Sequence, residues 1–221
     1  MTTGLMLSGG LDSAILLRRL LDQGHCVQPF YVSTGCRWER EERQAVEHFL
    51  RDLRHADVRT VIHLKMPVDD LYGRHWSVSG VDVPDDTTPD EAVFLPGRNP
   101  LLLLKPMLWC GQHAVSQLAI ATLAENPFAD ASAEFVARFE VAIAAAIGAT
   151  VEIARPFAAM SKAQILDLAS QLPVQLTFSC LAPRDGLHCG GCNKCAERAR
   201  ALQTLPKGDP TVYASSATAV N

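Results

Sequence analysis

The sequence predicts an α/β protein, a parallel sheet with helices on both faces, followed by a metal-bound C-terminal segment. Three observations carry this. Short apolar runs alternate with stretches of helical period, a glycine turn (Ser8-Gly9-Gly10) stands between the first run and the first helix, and four of the seven cysteines crowd into residues 180–195. At 221 residues and 48% hydrophobic, the chain can bury one sizeable core, which suits one domain with an appendage better than two full domains.

Each element has its own signal. GLML (4–7) is a short apolar strand, and Ile15, Leu16, Arg19, Leu20 and Gln23 follow at helical spacing until Gly24 stops the helix. CVQPFYVS (26–33) is a second strand, residues 39–54 place Ala45, Val46, Phe49, Leu50 and Leu53 on one helical face, and VRTVIHLKM (58–66) is a third strand. Residues 67–95 have no clear period; 98–114 reads as a buried helix, 115–122 as a strand, 132–147 as a helix and 150–157 as the last strand. The expected organisation is an α/β domain over 1–175, a cysteine segment over 176–203 and a disordered tail over 204–221, with no internal repeat.

Charge and hydropathy exclude some classes. A net charge of −4 supplies no global basic field, so direct nucleic-acid binding is not expected. No charge-free apolar run reaches membrane-spanning length and the N-terminus lacks a signal-peptide pattern, so a cytoplasmic protein without a membrane partner is expected. In that reducing compartment an odd cysteine count favours metal over disulfides.

In a parallel α/β sheet, ligands sit beyond the carboxyl ends of the strands, where a glycine turn bares backbone NH groups and a helix N-terminus adds partial positive charge. SGGLDS (8–13) is such a turn, although it matches neither the Walker pattern nor G-x-G-x-x-G. Its backbone amides, over Gly9, Gly10 and Leu11, would hold an anion with the hydroxyls of Ser8 and Ser13, while Asp12 caps the helix or helps place Mg2+. The bland alternative is a plain strand-to-helix turn with an Asp cap.

Cys180, Cys189, Cys192 and Cys195 form C-x8-C-x2-C-x2-C. Thiolates suit zinc, and four of them leave no open position, so the metal would be structural. His188 reads as an exposed loop histidine, with a substitute metal ligand as the alternative, and a redox pair of Cys192 and Cys195 would leave Cys180 and Cys189 unexplained.

SGGLDS after a first strand resembles the phosphate loop of the ATP pyrophosphatases, which have an adenine nucleotide alpha hydrolase-like, Rossmann-like fold and split ATP into AMP and pyrophosphate. With Pro96-Gly97-Arg98-Asn99, the Ser161-Lys162 helix start and the terminal SC-x8-C-x2-C-x2-C, residues 4 to 203 resemble the 7-cyano-7-deazaguanine synthase family. The resemblance implies an ATP-dependent C–N ligase that adenylates 7-carboxy-7-deazaguanine and forms amide, then nitrile, with ammonia in queuosine biosynthesis. It also implies ATP and Mg2+, a structural Zn2+ and a homodimer. Asp12, Ser13, Arg98 and Lys162 match the catalytic positions, and Ser8 to Ser13 with Gly97, Arg98 and Asn99 match the nucleotide site.

The chain departs from that family at two places. Thr34-Gly35-Cys36-Arg37-Trp38 replaces Tyr-Gly-Gln-Arg-His, and the aromatic, acidic segment after the fourth strand is shortened to Glu125–Ala131. Arg37, Phe128 and Asp130 are the substrate-facing residues expected to remain. Trp38, Trp76 and Trp109 read as packing residues, the acidic run Asp82 to Glu91 as a solvated, mobile loop, and Cys26, Cys36 and Cys110 as small buried hydrophobes. Three functions follow: the nitrile-forming synthase, a sister ligase acting on another carboxylate or amine, and a non-catalytic nucleotide-binding module.

Overall fold

The computed structural model describes residues 1–169 and 172–214. Five parallel strands are ordered β3-β2-β1-β4-β5. They are β1 (Thr2–Met6), β2 (Cys26–Ser33), β3 (Ile62–Lys65), β4 (Gln117–Ala119) and β5 (Glu152–Ala154). The chain winds outward from β1 through α1 (Leu11–Asp22) and α2 (Glu39–Leu53) to β3. It passes the short α3 (Asp69–Tyr72) and α4 (Trp76–Ser79) and returns through α5 (Arg98–Gln112) to β4 beside β1. The other half follows through α6 (Ala133–Ile147), β5, α7 (Lys162–Asp167) and α8 (Asn193–Leu202). Winding therefore reverses between β1 and β4, which opens a crevice at their carboxyl ends.

Both faces of the sheet are covered, as the sequence predicts. One core joins Leu5 and Leu7 to Ile15, Leu16 and Leu17 of α1 and to Phe157, Ile165 and Leu202; the other joins Phe30 and Leu118 to Met107 of α5 and Val136 and Ile143 of α6. Thr3, Gly4 and Leu5 of β1 are buried in succession, so burial along this central strand is continuous rather than alternating. β2 has the predicted bounds, while β3 is shorter than 58–66 because Val58 makes only an isolated bridge to Val27. Pro100 falls in the first turn of α5, where its missing NH costs no hydrogen bond.

Three expectations need correction. Residues 206–214 are not a disordered tail: Tyr213 bridges His188, Ala214 N donates to His188 O, and Thr211 Oγ1 accepts from Arg198 Nε at 2.8 Å. The remainder of that tail, 215–221, lies outside the described residues. The acidic loop keeps exposed carboxylates but its backbone is anchored, since Asp85 bridges Cys192 and Pro84 O accepts from Asn193 N at 2.9 Å. Cys36 and Cys110 are buried as expected, whereas Cys26 is half-exposed at the start of β2.

Candidate active site

The glycine turn is built by close approach. Gly9 has φ +81°, and a Cβ on it would stand 2.6 Å from the carbonyl oxygen of Glu42 in α2. Only glycine satisfies both demands. Gly10 is the N-cap of α1 and offers no side chain, so the first-turn NH groups of α1 keep no side-chain cap and point toward the crevice. Ser13 Oγ donates to Gly10 O at 2.9 Å and lies 3.3 Å from Ser8 Oγ, which braces the loop from below. The plain-turn alternative required Asp12 to cap the helix; Asp12 instead sits in the first turn and pairs elsewhere.

Its partner is Lys162, whose Nζ lies 2.7 and 2.8 Å from the two oxygens of Asp12. Ser161 and Gln164 form a reciprocal capping box that starts α7 and fixes where Lys162 leaves the backbone. Lys162 Nζ also lies 3.2 Å from Glu197 of α8, which pairs with Lys194 at 2.6 Å. Burial alone would pull Lys162 toward neutrality, but Asp12 and Glu197 outweigh it and hold the ammonium above its ordinary range.

Arg98 enters from the opposite wall. Gly97, at φ +74°, turns the chain into α5, and Asp130 fixes the corner by accepting from Asn99 N at 3.1 Å and Asn99 Nδ2 at 3.0 Å. The Arg98 guanidinium lies 5.8 Å from the Trp38 ring centroid, and its Nε is buried without a hydrogen-bond partner among the described residues. Beside it, burial pushes the Glu42 carboxyl up to about 7 although Arg98 and the Tyr31 hydroxyl, 3.1 Å away, favour its charge.

These groups surround a cavity of about 370 Å3 whose deeper wall is apolar, with Met6, Phe30, Val32, Leu103 and Ile120, and whose mouth is charged. Thr122 Oγ1, like Arg98 Nε, is buried in its lining without a partner among the described residues. Orphaned polar atoms of this kind need a ligand or ordered water to satisfy them. A second chamber of about 300 Å3, walled by Trp38, Trp76, Phe128 and Phe178, shares Ser8, Gly10, Arg98 and Asn99 with the first.

The four cysteines converge as the spacing predicts. Their sulfurs all lie within 4.8 Å of one another and are buried, with Cys189 to Cys195 at 3.9 Å and Cys180 to Cys192 at 4.0 Å. Tetrahedral coordination at a Zn–S length of about 2.3 Å places sulfurs about 3.8 Å apart. The donor set therefore fits zinc and is too open for a disulfide. This knuckle is stitched to the glycine turn by Phe178 N, which donates to Gly9 O at 2.8 Å. His188 is a buried residue, not an exposed one: it lies 4.5 Å from the Phe178 ring and accepts from Ser179 N at 3.1 Å. Burial pushes its imidazole down to about 4, the state that can accept this bond.

The expected substrate residues are treated differently. Phe128 lines the aromatic chamber and stacks on Phe94 at 5.1 Å, but Arg37 is exposed and lies against Gly80, outside both cavities. Both oxygens of Asp130 are spent on Asn99, which makes it a positioning group for the Arg98 corner. Glu42, Thr122, Lys194 and Glu197 were missed. Glu42 is hidden in the charged run EREERQ, and Trp38, read as packing, proves to be a wall of the site.

A doubly wound parallel sheet with SGGLDS at its switch point and a charged cavity before it defines an α/β protein of the ATP pyrophosphatase type. The family model described as "Queuosine biosynthesis protein QueC" matches residues 3–206, and the chain belongs to that family. It is 30% identical over 222 residues to the 7-cyano-7-deazaguanine synthase of Stutzerimonas stutzeri (strain A1501), covering 95% of this chain and 96% of the relative. It is 29% identical over 205 residues to 7-cyano-7-deazaguanine synthase 1 of Desulfitobacterium hafniense (strain Y51), covering 90% of each. Among solved structures, the predicted subunit of tRNA methyltransferase from Methanocaldococcus jannaschii superposes with a TM-score of 0.51 at 15% identity, over 77% of this chain and 75% of that one. That likeness is one of fold. Among the described residues no helix is long and apolar enough to cross a membrane.

Proposed function

We propose that this chain is a cytoplasmic, homodimeric ligase that makes 7-cyano-7-deazaguanine from 7-carboxy-7-deazaguanine, ammonia and ATP. The observation that carries the reading is the meeting of two cavities at the glycine turn, one with an apolar recess for adenine and one walled by aromatic rings for a flat acceptor. The reacting atoms belong where the cavities join, at Ser8, Gly10, Arg98 and Asn99.

In this reading a carboxylate oxygen of the acceptor attacks the α-phosphorus of ATP and pyrophosphate leaves. Ammonia then attacks the carbonyl carbon, and AMP departs to leave the amide. The amide oxygen repeats the attack on a second ATP with release of pyrophosphate, and loss of both N–H protons and AMP yields the nitrile. The uncapped amides of Leu11 to Ser13 receive the charge that builds on the phosphate oxygens, and Lys162 adds a point charge beside them. Arg98, with an unspent donor and a planar fork, suits the acceptor carboxylate. Asp12, whose two oxygens are held by Lys162 here, would be the carboxylate to hold Mg2+ once that lysine turns to phosphate, and the ion would neutralise triphosphate charge when bound. Zinc in the four-cysteine site would be structural, fixing the start of α8 and the Phe178 contact to the turn.

A second reading, a sister ligase with another acceptor or amine, has one observation in its favour: Asp130 is engaged by Asn99 and Arg37 stands outside the chamber, so Asp130 does not meet the ring NH groups of a deazapurine and Arg37 does not meet its acceptor atoms. Mass spectrometry of products from ATP, ammonia and 7-carboxy-7-deazaguanine separates the two. Nitrile with AMP and pyrophosphate supports the first reading; unreacted acid, with ATP cleaved only when another acid or amine is supplied, supports the second.

A further inference from the structure

The helix that carries Cys195 reaches the proposed nucleotide site through two side chains that neither the phosphate loop nor the cysteine ligand set includes. Lys194 and Glu197 lie on the first turns of α8, whose N-cap is Cys192 and whose third residue is Cys195. Glu197 spans two lysines, with one oxygen 2.6 Å from Lys194 Nζ and the other 3.2 Å from Lys162 Nζ. Lys162 continues to Asp12 at 2.7 Å. The result is an alternating row, Asp12, Lys162, Glu197, Lys194, that crosses the mouth of the cavity with no net charge.

An ordinary helix-surface pair three residues apart would explain Lys194 and Glu197 alone, and such pairs contribute little. It does not explain the placement. Both side chains are about 30% exposed, Glu197 bridges to a lysine on another helix, and Lys194 lines the nucleotide cavity, the aromatic chamber and the adjoining groove beside Asp12 and Phe128. A triphosphate entering here meets Lys162 already paired on both sides. Lys194 terminates the row with one carboxylate partner, on a flexible stem that can turn from that partner to a phosphate oxygen.

We propose that Lys194 is a phosphate-binding residue of the nucleotide site, delivered by the helix that the four-cysteine site begins, and that Glu197 holds its place and that of Lys162 until phosphate displaces it. The proposal rests on the ATP reading above. It makes the cysteine segment part of the binding site: Cys192 and Cys195 fix the turn of α8 from which Lys194 extends.

The test is equilibrium binding of ATP and of adenosine, by calorimetry, to the full-length protein and its variants. Lys194→Met is expected to weaken ATP on the order of tenfold to a hundredfold, the size of one charge-assisted hydrogen bond, and to leave adenosine within twofold. Lys194→Arg should recover most of the loss. Glu197→Gln removes the carboxylate that competes with phosphate and should bind ATP severalfold more tightly. Metal content and melting temperature equal to the parent's certify that Lys194→Met is folded. Equal ATP affinity in the parent and a folded Lys194→Met overturns the proposal, as does an equal loss for ATP and adenosine, and weaker ATP binding by Glu197→Gln overturns the role given to Glu197. If the parent itself does not bind ATP, the nucleotide reading fails rather than this one.

Discussion

Single residues set the chemistry of the glycine turn, and two substitutions there have opposite structural costs. Gly9→Ala forces a Cβ into the carbonyl of Glu42 and keeps a positive φ, so it is expected to destabilise the fold by about 2 kcal/mol or more in denaturant titration. Asp12→Ala, by contrast, frees Lys162 without opening the core and should leave the melting transition in place while sharply lowering pyrophosphate release; unchanged turnover would remove Asp12 from the site. Glu42 gives a pH signature. Its folded value, raised by burial from 4.5 to about 7, means that the neutral carboxyl supports the fold fully below 4.5 and that this support is lost as pH rises through about 7. Glu42→Gln should flatten the stability profile over that window and exceed the parent above it, and parallel profiles would show that Glu42 is not held neutral.

At the scale of elements, the cysteine segment behaves as a clasp. Arg198 on α8 is buried, with Nη1 donating to Thr177 Oγ1 at 2.8 Å, Nη2 to Val174 O at 2.7 Å and Nε to Thr211 Oγ1 at 2.8 Å. Arg198→Met should cost about 3 kcal/mol, and Cys192→Ala should lower both zinc content and melting temperature. Elemental analysis finding no zinc in the parent protein would refute a structural metal.

α8 also shows where sequence reading stops. Its buried stripe is Cys195, Arg198, Ala201 and Leu202, so an arginine and a metal-directed cysteine stand where a hydrophobic period would be sought. α1, α2 and α5 bury ordinary apolar faces and were legible to within a few residues. The four-cysteine cluster and the glycine turn were legible because sulfur spacing and bare backbone carry their chemistry locally. Trp38, Glu42 and Asp130 were not, because their roles depend on which distant side chain they meet.

For the whole molecule, the strand order places every charged group of the site at one end of the sheet. β1 leads into the turn, the segment after β4 delivers Thr122, the start of α7 delivers Lys162 and α5 delivers Arg98, all beyond the carboxyl ends of strands that reverse their winding between β1 and β4. The two cavities are separate recesses with a shared floor, which predicts that an acceptor oxygen and the α-phosphorus of ATP meet there. That claim is tested most directly by labelling. With both carboxylate oxygens of 7-carboxy-7-deazaguanine replaced by oxygen-18 and unlabelled ATP and ammonia supplied, mass spectrometry of the nucleotide product should find one heavy oxygen in each AMP released. Heavy oxygen in inorganic phosphate, or AMP without label, would contradict direct attack of the acceptor on the α-phosphorus.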